Sequence, residues 1–114
     1  MSKQEKKITL YLIEFKNTLK IKVDEDLLTK VTKGLGPSIY NADASKVSGS
    51  DAKELETVKN NFLIKKLGLS ASDKLDEAIT EVMDQMGSSN RNKYRVMVYY
   101  LLVLKFKKQS VYNS

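Results

Sequence analysis

The chain contains no cysteine, no histidine and no tryptophan, and its only proline is Pro37. Without cysteine there is no disulfide framework and no thiol redox chemistry. Without cysteine or histidine the usual zinc ligand sets, a histidine-ligated haem and every Ser–His or Cys–His nucleophile pair are excluded. Long apolar runs are also lacking. The longest, Val96–Leu104, has nine residues, far short of the ~20 that cross a bilayer as a helix. The start, Met1-Ser2-Lys3-Gln4-Glu5-Lys6-Lys7, is polar and has no signal-peptide core. A cytoplasmic protein without a membrane partner is the natural expectation.

What is present fits one globular domain: 114 residues, 41% hydrophobic and 30% charged, with a net charge of +6. The charge is unevenly spread. Residues 70–86 carry one basic and five acidic side chains, whereas residues 87–114 carry six basic and no acidic ones. The two segments either neutralise each other across packed helices or leave a basic face for an anionic partner.

Apolar spacing predicts five helices. The first covers Lys3–Leu19, with Ile8, Tyr11, Leu12, Phe15 and Leu19 on one face; Thr9–Leu12 could also be read as a strand. Ile21 and Val23 alternate with lysines and suggest a short extended link. The second covers Asp24–Lys33, opened by Asp24 as N-cap and closed by Gly34, Gly36 and Pro37. Pro37–Gly49 is the one long irregular segment, pinned by Ile39, Tyr40 and Val47. The third covers Asp51–Leu67, with Ser50 as N-cap, Leu55, Val58, Phe62 and Leu69 as the buried stripe, and Leu63 and Leu67 beside it. The fourth covers Ser72–Met86, behind a capping-box pattern in Ser70-Ala71-Ser72-Asp73. The fifth covers Asn90–Lys107, with Ser88, Ser89 and Asn90 as cap candidates. Its centre is apolar on every side, so it is either a central helix or a buried strand; without a second strand to pair with, the helix is preferred. The expected product is all-α: a compact five-helix array with the apolar C-terminal helix at its centre.

Three blocks of this sequence point to a family. They are Val31-Thr32-Lys33-Gly34-Leu35-Gly36-Pro37-Ser38-Ile39-Tyr40-Asn41-Ala42-Asp43-Ala44, then Glu54–Leu69, then Ser89-Asn90-Arg91-Asn92-Lys93-Tyr94-Arg95. They resemble the signature blocks of small bacterial proteins catalogued as domain of unknown function 2853. The resemblance runs from Asp24 to Phe106 and is loose over residues 1–23. This makes residues 24–108 a family-like core, residues 1–23 a first helix and link, and residues 109–114 a tail. It implies a stand-alone bacterial cytoplasmic protein and brings no activity, catalytic residue or ligand.

Three constellations could carry function. Arg91, Lys93 and Arg95 would sit at the start of the fifth helix, where free backbone N–H groups and cations together suit an anion. With Lys65 and Lys66 they could hold a nucleic-acid backbone or an acidic partner. The structural alternative is that Asp76, Glu81 or Asp84 of the fourth helix answers these charges. A helix-turn-helix around Gly87 is disfavoured, since a recognition helix needs an exposed face. Gly34-Leu35-Gly36-Pro37-Ser38 superficially suggests a phosphate cradle but lacks the following Gly-Lys-Ser/Thr, so a helix stop is preferred. In the loop beyond it, Tyr40, Asn41 and Asp43 could read a partner; otherwise Asn41 and Asp43 cap turns and Tyr40 buries its ring. The carboxylates Asp73, Asp76, Glu77, Glu81 and Asp84 could in principle hold Mg²⁺, but without a substrate-positioning loop a solvated helix face is expected. These readings lead to a non-catalytic binding or interaction module with no cofactor. Its partner would be an unidentified protein or anionic ligand, and the alternative is a weak, salt-sensitive RNA or DNA binder.

Overall fold

Val96–Leu104 resolves the main ambiguity of the sequence: it is helical. The computed structural model describes residues 3–41, 45–48, 51–87 and 93–112. Among them run five α-helices and no β-strand: α1 (Lys3–Glu14), α2 (Glu25–Leu35), α3 (Ala52–Thr57), α4 (Asp73–Met86) and α5 (Arg95–Lys105). Two helices continue past their α-helical part in wider π-helical turns, α1 through Phe15–Leu19 and α3 through Val58–Ile64. Short 3₁₀ turns occupy Gly36–Tyr40 and Gln109–Tyr112.

Local chemistry sets most boundaries. The Asp24 carboxylate accepts the N–H groups of Asp26 at 3.1 Å and Leu27 at 3.2 Å, capping α2. Gly36, at φ +64°, closes the same helix by donating its N–H to the Lys33 carbonyl. Gly87 ends α4 at φ +98° in the same manner, with its N–H on Asp84. Three expectations are corrected here. The cap of α3 is Asp51, whose carboxylate accepts the Lys53 N–H at 3.0 Å, so Ser50, outside the described residues, is not needed for that role. Ser72 stands at the N-cap of α4 but its side chain makes no capping bond, so the capping box does not form. The fifth helix starts at Arg95, not Asn90, because residues 45–47 lie across its approach. The Val47 N–H donates to the Lys93 carbonyl at 2.8 Å and the Arg95 N–H to the Ser45 carbonyl at 2.7 Å, an antiparallel bridge that holds Lys93 and Tyr94 extended. The cap candidates Ser88, Ser89 and Asn90 lie outside the described residues.

α5 is the hub. Every residue from Val96 to Val103 is buried, with α2 on one side and α4 on the other. α1 leans on α2, and its π-helical end reaches α4. Phe15 of that end is fully buried and packs edge-on against Tyr100, with ring centroids 5.2 Å apart. In the π-helical part of α3 the bonds run five residues back, from the Lys65 N–H to Asn60 and from the Leu67 N–H to Phe62. The extra residue per turn changes the inward set. Val58, Phe62, Leu63 and Leu67 are buried, while Leu55, placed in the stripe by α-helical spacing, is only half-buried.

Two buried tyrosines differ in a way that mutation can read. The Tyr100 hydroxyl accepts the Asp24 N–H at 2.8 Å and so ties the hub to the start of α2. The Tyr11 hydroxyl is buried with no hydrogen-bond partner. Tyr100→Phe is therefore expected to cost about 1 kcal/mol, whereas Tyr11→Phe is expected to be neutral or stabilising, because it removes a desolvated polar group that nothing satisfies. Urea unfolding of both variants checks the sign. A loss above about 1 kcal/mol for Tyr11→Phe would show that its hydroxyl is satisfied in solution.

Candidate functional site

Of the basic group predicted at the start of the fifth helix, the structure describes Lys93 and Arg95. Arg91 lies outside the described residues. Lys93 precedes the helix and is 7% exposed, so its ammonium is not displayed at a helix terminus. Arg95 is the first residue of α5, and its guanidinium is already engaged. It donates to the Glu54 carboxylate at 2.9 Å, to the Tyr99 hydroxyl at 3.3 Å and to the Lys46 carbonyl at 3.4 Å. Burial lowers the Arg95 pKa, but hydrogen bonds to Tyr99 and Glu54, with their charges, outweigh it and leave it above the usual arginine value. The acid that answers Arg95 thus comes from α3, not from α4 as the sequence suggested. The α4 carboxylates find other cations: Asp76 pairs with Lys59 at 3.1 Å and Glu81 pairs with Lys105. Among the described residues no cluster of three acidic side chains is placed to hold a metal ion.

Lys65 and Lys66 are exposed just past the π-helical end of α3. They lie eleven and twelve residues beyond Glu54 in the sequence. Of the described residues in this basic set, Arg95 is engaged with Glu54 and Lys93 is buried, while Lys65 and Lys66 are exposed. In the loop, Tyr40 is 46% exposed rather than buried, and Ile39 beside it is 1% exposed. Ile39 therefore pins the loop to the core as expected, whereas the Tyr40 ring is displayed to solvent. Asn41 accepts the Ser45 N–H through its backbone carbonyl at 2.8 Å. Asp43 lies outside the described residues.

What the tertiary structure assembles instead is a cleft of ≈ 250 Å³ between α2, the π-helical part of α3, α5 and the C-terminal 3₁₀ turn. Val31, Gly34 and Leu35 come from α2, Asn61, Phe62 and Lys66 from α3 and its continuation, Tyr99 from α5 and Tyr112 from the last turn. Phe62 and Tyr99 stack nearly parallel, 3.8 Å between centroids at 12°. The Lys66 ammonium stands 5.2 Å from the centre of the Tyr112 ring. Gly34 keeps the α2 wall low: a Cβ there would touch the Tyr112 ring edge at 3.6 Å, an ordinary contact. The Arg95–Tyr99 bond links this wall to the Glu54 ion pair. Of these residues Lys66 had been named as a site residue, and Gly34 and Leu35 had been weighed in a phosphate cradle that was set aside. Phe62 and Tyr99 had been assigned to the core, Gly34 to a helix stop and Tyr112 to a tail. No local signal marks a cleft built from four separated segments.

Burial, followed by the neighbouring Tyr99, pushes the Tyr112 hydroxyl up to about 12, and burial with Tyr94 and Tyr40 does the same for Tyr11. Both pKa values lie above the unfolded value of about 10, so the neutral forms stabilise the fold fully below pH 10, and this contribution is lost as pH rises from 10 through 12. Tyrosinate absorbance is expected to show Tyr11 and Tyr112 ionising near pH 12 together with loss of helical signal. Ionisation of all six tyrosines near pH 10 in the folded protein would refute this.

The family described as protein of unknown function (DUF2853) matches residues 10–110. The chain belongs to this family. The match begins inside α1 and takes in Tyr11 and Phe15, so it reaches further toward the N-terminus than the blocks from Asp24 onward. It also covers the cleft except for Tyr112. No curated protein matches the sequence. Among the described residues no helix is long and apolar enough to cross a membrane.

Proposed function

We propose that the protein is a non-catalytic binding module of the bacterial cytoplasm and that the cleft bounded by Gly34, Phe62, Lys66, Tyr99 and Tyr112 is its binding site. The observation that carries this reading is the composition of the cleft. Apolar and aromatic walls surround a few polar groups, as in ligand sites generally, and among the described residues no carboxylate lines it. The cytoplasmic setting suits a chain without cysteine. A nucleic-acid role through the basic start of α5 is less favoured, because Arg95 is engaged with Glu54 and Lys93 is buried.

The test is an amide NMR titration with p-cresol, a neutral single-ring probe. Shifts are expected at Gly34, Asn61, Lys66 and Tyr112. Gly34→Leu, which fills the cleft from a helical position without positive φ, is expected to abolish them while leaving the remaining spectrum intact. A short mixed-sequence RNA serves as counter-probe. Salt-sensitive RNA shifts at residues 91–95, with no cresol shift in the cleft, would replace this reading with the nucleic-acid one.

A further inference from the structure

The cleft carries more information than its existence. At ≈ 250 Å³ it is smaller than the roughly 300–1,000 Å³ of sites for drug-sized ligands, leaving room for about one ring and a short polar arm. Its charge has one sign. Lys66 is the only ionised side chain among the lining residues, and among the described residues it has no acidic partner. Its ammonium stands over the face of the Tyr112 ring. Such a contact uses no hydrogen-bond acceptor, so the N–H donors that face away from the ring stay available to a ligand. The nearby polar groups are the Asn61 carboxamide, which can donate, and the hydroxyls of Tyr112 and Tyr99. Like any tyrosine below about pH 10, Tyr112 is uncharged at neutral pH, so its hydroxyl adds a donor and no competing negative charge. The Tyr99 hydroxyl already accepts from Arg95, which polarises it as a donor.

Resting on the assignment of this cleft as the binding site, we infer that its ligand is a small aromatic acid, with the ring against the apolar and aromatic walls and the carboxylate on Lys66. A cationic ligand would meet an uncompensated ammonium. A neutral ligand would leave that exposed ammonium to water alone, whereas bonds between charged partners are about twice as strong as neutral ones. Lys66 is therefore the residue that reads charge, and Phe62, Tyr99 and Tyr112 read the ring.

Three ligands of one shape test the inference on the full chain: phenylacetate, phenylacetamide and 2-phenylethylammonium, each titrated at low salt and followed by amide shifts at Gly34, Asn61, Lys66 and Tyr112. Phenylacetate is expected to bind about fivefold or more tighter than the amide, with the ammonium weakest. Lys66→Gln, at an exposed position outside the core, is expected to bring the acid down to the affinity of the amide and to leave the amide unchanged. Equal binding of all three, or a preference for the ammonium, overturns the aromatic-acid inference while the cleft stands as a binding site. No shift in the cleft with any of them removes the site itself. Equal loss of acid and amide binding in Lys66→Gln would show that Lys66 shapes the cleft rather than reading charge, and would also overturn the inference.

Discussion

Phe15→Ala is expected to lower stability by about 3–5 kcal/mol, the usual loss for removing a fully buried phenylalanine. Phe15 has no exposed surface, stands at the first π-helical residue after α1 and meets Tyr100 edge-on. Truncation would remove the ring, leave a cavity beside the hub helix and weaken the seating of α1. The resemblance blocks begin only at Asp24, so the first helix could be taken for a detachable extension. Its burial says otherwise. Urea unfolding by circular dichroism, with near-ultraviolet tyrosine signals as a second probe, measures the loss. A change below about 1 kcal/mol, the size typical of surface positions or smaller, would show that α1 docks weakly and that the core closes without it. Ile13→Ala, two residues away and 50% exposed, is the control and is expected to fall within about 0.5 kcal/mol of wild type.

Arg95→Met is expected to cost about 1.5–3 kcal/mol, the range for hydrogen bonds to charged groups. The side chain is 11% exposed and its Glu54 partner 31%, so this pair is far better shielded than Lys105–Glu81 at 37% and 61%. Exposed pairs of the latter kind contribute about 0–1 kcal/mol. Methionine keeps part of the apolar stem, so the loss reports the guanidinium. That group joins the first turn of α3, the backbone of Lys46 and the hydroxyl of Tyr99, three places distant in sequence. A double-mutant cycle with Glu54→Gln isolates the ion pair, and a coupling above about 0.5 kcal/mol is expected. Smaller coupling would mean that the other two bonds carry the effect. Since Tyr99 also walls the cleft, Arg95→Met is further expected to shift the cleft amides, which a purely local loss would leave in place.

Several features were determined by the sequence alone. The five helices follow from apolar spacing and from short-range chemistry. Asp24 caps α2 with its own carboxylate, and Gly36 and Gly87 stop their helices because they accept positive φ. The central place of α5 follows from an apolar run that no single face could absorb, and the family is legible in contiguous blocks matched over residues 10–110. These features depend on residues within a turn or two of each other.

Only the tertiary structure decided the rest. The start of α5 is set by its bridge to residues 45–47, the α3 stripe by bonds that run five residues back, and the partner of Arg95 by a helix forty-one residues earlier. The cleft joins Gly34, Phe62, Tyr99 and Tyr112, whose separate local roles gave no hint of a common wall. The reason is physical. Capping and amphipathicity act between near neighbours, whereas ion pairing and cavity shape depend on which segments packing brings together. For Arg95 that packing placed Glu54 within 2.9 Å, while the acidic segment adjacent in sequence turned its charges to Lys59 and Lys105.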